Sequence, residues 1–167
     1  WVEDMAAEAH RLGMRVAGHV PAFYRADQMI EAGYDELTHI NQIMLGWVLG
    51  PEEDTRTLFR ITGMKRFVDL DLNSDKVQHT LKLMADNDIA HDPTAVIHEY
   101  AMTGRNGITN FAVRDYIDHM PISVQRAAKS AMLNVADETE DEAYLAAYQK
   151  ILDTLALMHE RGILLVP

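Results

Sequence analysis

Twice within the first forty residues the chain passes from a helical pattern through a glycine and a short apolar run to a histidine, with the same spacing each time. His19 lies six residues after Gly13, and His39 lies six residues after Gly33. Before Gly13, apolar residues Val2, Met5, Ala6, Ala9 and Leu12 recur at intervals of three and four, the signature of one helical stripe. A glycine just past such a stripe suits a left-handed C-terminal cap, which costs glycine nothing sterically. Arg15 to His19 then reads as a strand. A second helix over residues 25–32, closed by Gly33, leads to a strand over residues 36–39.

The step recurs twice more. Ser74 is a suitable N-cap for a helix carrying Val77, Leu81 and Met84 on one face. Asn87 stands where the cap is needed, and residues 89–93 form the next strand. The longest helix is predicted over residues 141–161, with Tyr144, Tyr148, Ile151, Leu152, Leu155 and Met158 inward. Gly162 caps it, and Ile163 to Val166 is a continuous apolar strand of the kind buried on both faces. Helices alternating with short strands imply βα units and a parallel sheet, an α/β class. Two long insertions, about 40–73 and 95–140, follow strand ends. The second carries a helix over residues 123–134, with Val124, Ala127, Ala128 and Ala131 inward.

Composition narrows the function classes. A net charge of −11 repels phosphate backbones, so no nucleic-acid partner is expected. No apolar run approaches the roughly 18 to 20 residues of a membrane span. There is no cysteine, so a metal would have to be held by histidine and carboxylate. The sequence leaves homo-oligomerisation open. Trp1 opens directly into a helical pattern, and the last residues stop in an apolar strand. Both ends are therefore expected to be cuts, and residues 1–167 a single incomplete domain.

Among eight histidines, six carry no distinguishing context. His10, His79 and His159 fall on helices, His119 lies in an irregular stretch before Pro121, His91 lies within a predicted strand, and His98 follows a strand exit. His19 and His39 differ, because each ends a strand in successive units. Neighbouring parallel strands run about 4.8 Å apart, so two imidazoles at their C-terminal ends can converge on one ion. The alternative is that each is a packing residue bonded to a nearby carbonyl.

The segments AEAHRLGMRVAGHV, IEAGYDELTHINQ, NDIAHDPTAV and LMHERGILLVP resemble the amidohydrolase superfamily, in its branch of imidazolonepropionase-like amide and dipeptide hydrolases. The resemblance covers about half of the chain and leaves both insertions unmatched. It implies strands five to eight of a partial (β/α)8 barrel, four parallel βα units in all. A complete barrel needs at least about 200 residues, so 167 would make half of one. It further implies that His19 and His39 are metal ligands, of zinc or another divalent ion. The family's His-x-His pair and strand-four ligand would precede Trp1. The aspartate that acts as general base would follow Pro167, so no catalytic residue is expected within this chain, which alone would be inactive.

The chemistry implied is hydrolysis of a carbon–nitrogen bond in a small cyclic amide or peptide-like substrate by a metal-activated water. Tyr24, close after His19, and Asn41 and Gln42, after His39, are candidates for orienting the substrate. Arg105 and Arg114 are candidates for meeting a substrate carboxylate. A second reading stays open: a non-catalytic, mostly helical interaction domain whose histidines are structural.

Overall fold

Gly13, Gly33 and Gly162 all take positive φ, at 74°, 99° and 77°. Each ends a helix where the capping argument places it. The computed structural model describes residues 1–166. Helix α1 (Val2–Arg11) leads to strand β1 (Ala17–His19), then α2 (Ala26–Glu31) to β2 (Glu36–Thr38). Next come α3 (Ile40–Val48), the short α4 (Phe59–Thr62), a 3-10 segment (Gly63–Asp69), α5 (Asp75–Asp86) and β3 (Ala90–Asp92). The remainder is α6 (Ala95–Thr103), α7 (Phe111–Arg114), a 3-10 turn (Ile117–His119), α8 (Ile122–Ala127) and the long α9 (Glu138–Glu160).

The three strands form one parallel sheet in the order β1-β2-β3. Gly18, Leu37 and His91 stand level across it, and so do His19, Thr38 and Asp92. The core lies between this sheet and the helices. Leu37 of β2, Ile40, Ile43 and Met44 of α3, and Phe67 of the 3-10 segment are wholly buried in it. Val77, Leu81 and Met84 of α5 join them, as do Tyr144, Ile151 and Met158 of α9. Asp137 caps α9 by accepting a hydrogen bond from the Glu140 amide at 2.9 Å. The Glu140 carboxylate reaches back to the Ala136 amide at 2.8 Å, closing the N-terminal turn from both sides.

The four-unit partial (β/α)8 barrel implied by the resemblance is overturned. Helix makes up 56% of the chain, and among the described residues only three short parallel strands form a sheet, so this is an α-rich small domain. Residues 163–166 do not extend the ladder into a fourth strand. They make one isolated bridge, Leu165 beside His91, through the bonds His91 N to Leu164 O and Val166 N to His91 O, each 2.8 Å. Two backbone bonds hold that segment while packed helices supply most of the interior.

Smaller expectations also change. The stripe on α1 is only partly used: Ala6 is buried and Val2 and Ala9 are half-buried, while Met5 and Leu12 are more than half exposed. Ala6 is the residue that meets the turn at Gly33, where a β-carbon would lie 3.0 Å from its own. The helix expected over 123–134 stops at Ala127 and buries no residue. Asn87 keeps negative φ, and Asp88 takes the left-handed position instead, at 52°. On α9, Ala147 and Thr154 are buried and Leu152 is exposed. No helix among the described residues is long and apolar enough to cross a membrane.

Candidate functional site

His19 is the last residue of β1, and His39 follows the last residue of β2. Because β1 and β2 pair in parallel, both chains emerge on the same edge of the sheet. At His39 the backbone swings straight into α3, which requires φ of 68°, a value costly for a residue with a β-carbon. The turn is held from β3, with His39 N donating to Asp92 O at 2.7 Å and Ile40 N to Pro93 O at 3.2 Å. The result sets the two imidazole rings side by side, centroids 4.4 Å apart and planes tilted by 44°. His19 is exposed and His39 half-buried. Burial, then the neighbouring charges of His19 and Arg60, hold the His39 imidazole below its ordinary pKa, with Asp92 opposing. That direction favours the neutral imidazole, the form a metal ligand must take.

Thr94 sits beneath this pair. Its hydroxyl lies 2.7 Å from His39 Nδ1 and donates to Pro93 O at 2.8 Å. Its amide donates to Asp92 Oδ1 at 3.0 Å. Its backbone is left-handed, φ 47° and ψ 44°, an outlier for a β-branched side chain. Two further histidines lie in the same neighbourhood. His98, on α6, is buried with Nδ1 3.0 Å from Thr94 O. His91, in β3, is wholly buried with Nδ1 2.8 Å from Leu37 O and with Nε2 unpartnered. Burial lowers both to about 4, offset in part by those carbonyl bonds.

The ring spacing can be set against what a shared ion would require. With a metal–nitrogen bond of about 2 Å, each centroid would lie roughly 3.2 Å from the ion. Centroids 4.4 Å apart then correspond to an angle of about 90° at the metal, within reach of common geometries. Among the described residues no group of three or more His, Asp or Glu is arranged to hold an ion.

The chain matches no protein-family model, no curated protein and no solved structure.

The other residues singled out from the sequence divide into two groups. Tyr24 and Gln42 line one cleft of about 220 Å³, together with Val20, Phe23 and Arg25. Gln42 Oε1 accepts from Val20 N at 3.0 Å, tying the residue after His19 to α3, which follows His39. Asn41 is buried and donates to Arg60 O at 3.3 Å. Arg105 is committed elsewhere, to the Asp141 carboxylate and the carbonyls of Met102 and Gly104. Arg114 is exposed on α7. Thr94 and the buried state of His91 and His98 escaped sequence reasoning. Thr94 lies 55 positions from the histidine it touches, and only the Pro-Thr step after the strand marked the place.

Proposed function

We propose that this chain supplies two ligands, His19 and His39, of a divalent-metal centre, with zinc the preferred ion, in a hydrolase of carbon–nitrogen bonds. The substrate would be a small cyclic amide or a peptide-like molecule. The observation carrying the reading is the pair itself: half-buried His39 beside exposed His19, ring centroids 4.4 Å apart, both delivered by parallel strand ends. The amide and peptide chemistry rests on the resemblance of four quoted segments, three of which carry strands, to amidohydrolases. A bound divalent ion would supply Lewis acidity and lower the pKa of a water toward 7. Remaining ligands would come from water or from groups outside the described residues. His19 and His39 would hold the ion, Asp92 anchors the turn that presents His39, and Tyr24 and Gln42 line a cleft that reaches Val20, the residue after His19.

A rival reading, a non-catalytic interaction domain, draws support from the 56% helix content and from the lack of a three-ligand group among the described residues. Titration with Co²⁺, followed by its visible absorption and by competition with Zn²⁺ and a chelating dye, separates the two. One ion per chain is expected, with affinity falling at least tenfold in His19→Ala and in His39→Ala and unchanged in His119→Ala. Equal binding by all four proteins, or none by the wild type, would put the interaction domain ahead.

A further inference from the structure

Hydrogen counting at Thr94 decides which nitrogen of His39 is available to an ion. A threonine hydroxyl carries one hydrogen. Thr94 Oγ1 has two close polar neighbours, Pro93 O at 2.8 Å and His39 Nδ1 at 2.7 Å. The carbonyl can only accept, and does so from Ile40 N as well, whereas Nδ1 can accept or donate, so only the hydroxyl hydrogen can separate the two oxygens. Given to His39 instead, it would leave two oxygens facing each other at 2.8 Å with no hydrogen between them. With that hydrogen between the two oxygens, His39 Nδ1 would carry the proton and donate to Oγ1, and Nε2 would keep its lone pair.

We propose that Thr94 is a positioning residue that locks His39 as the Nδ1–H tautomer, so that Nε2 is the ion-binding nitrogen. The assignment of an ion to that nitrogen rests on the metal reading above; the tautomer does not. The strain at Thr94 gains a reason on this account. A left-handed backbone at a β-branched residue costs on the order of 1–3 kcal/mol. The same conformation places the hydroxyl against His39 while the amide binds Asp92 Oδ1 and the carbonyl accepts from His98. His39 is itself at positive φ, so two strained residues are joined by one hydrogen bond.

The test reads the tautomer directly on metal-free protein, by two-bond ¹H–¹⁵N correlation of the histidine rings near neutral pH. The variants are Thr94→Ser, which keeps the hydroxyl, and Thr94→Val, which keeps the shape and the β-branch and removes it. Should Thr94→Val fail to fold, Thr94→Gly removes the hydroxyl while relieving the left-handed strain. Wild type and Thr94→Ser are expected to show His39 protonated at Nδ1. The hydroxyl-free variants are expected to move to the Nε2–H form and to lose 10- to 100-fold in Zn²⁺ affinity, the usual effect of removing a residue that orients a ligand. Thr94→Ser should stay within about threefold of wild type. An Nε2–H tautomer in the wild type, or an unchanged tautomer in Thr94→Val, would overturn the proposal. A wild type that shows Nδ1–H but binds no Zn²⁺ overturns the metal reading and supports the tautomer lock.

Discussion

Acidifying the protein from pH 7 to pH 5 should remove about 3–4 kcal/mol of folding stability, most of it through His91 and His98. Both imidazoles are buried and held at about 4, against 6.5 in an open chain. The folded state thus resists protonation that the unfolded chain accepts. As pH falls below about 6.5 the unfolded state binds protons first, so stability is full above that pH and is lost progressively toward 4. A shift of roughly 2.5 units at 1.36 kcal/mol per unit gives about 3 kcal/mol per group in full, of which nearly 2 kcal/mol is lost by pH 5. His39, shifted in the same direction, adds to the loss. The carboxylates held below their ordinary range, Glu8, Asp35, Glu53, Asp54 and Glu140, act at lower pH and stay out of this window. Urea unfolding followed by the fluorescence of buried Trp47 measures the effect. With a slope of about 2 kcal/mol per molar, the midpoint should fall by roughly 1.5–2 M urea between pH 7 and pH 5. His98→Asn keeps a donor for Thr94 O and removes one titrating group, so it should cut that fall by about half. A midpoint that does not move, or a His98→Asn protein with the wild-type pH dependence, would refute the reasoning.

Three further outcomes are expected. Incubated with Zn²⁺ and a panel of dipeptides and cyclic amides, the 167-residue chain should hydrolyse none above the free-metal background, because catalytic zinc sites use about three protein ligands and this pair offers two; turnover above that background with measured one-to-one metal would overturn this. Gly13→Ala, in open space at φ 74°, should cost about 1–2 kcal/mol, and Gly33→Ala distinctly more, since its new β-carbon also meets Ala6 at 3.0 Å; urea midpoints compare them. Asp137→Ala, which strips the N-cap from α9, should lower stability by about 1 kcal/mol, read the same way, while Asp137→Ser should restore most of it.

Local chemistry was legible where a single residue type answers a single backbone demand. The glycines that cap α1, α2 and α9 take the positive φ expected of them, and α5 turns Val77, Leu81 and Met84 inward, though the Ser74 hydroxyl before it donates to Asp71 O at 2.6 Å instead of capping the helix. The repeated six-residue step from glycine to histidine foretold that His19 and His39 would stand at neighbouring strand ends. These features depend on periods of three to four residues and on the steric freedom of glycine, both properties of a short stretch of chain.

Tertiary structure alone decided how far the sheet extends and what surrounds the histidines. The apolar run Ile163 to Val166 has the composition of a buried strand, yet a strand exists only if a neighbour's amides and carbonyls face it over several residues. Here His91 alone does so, and the interior goes to α3, α5 and α9. The stripe on α1 is likewise a local periodicity only partly met by a partner surface, at Ala6 against the Gly33 turn and at Val2 against the core. Thr94 reaches His39 across 55 positions, and His91 reaches Leu37 across 54, through contacts with no local signature. A sequence determines its caps and its faces because those are settled within one turn of helix. Which faces meet, and which imidazole nitrogen is left with a lone pair, depends on atoms brought together only when the whole chain has packed.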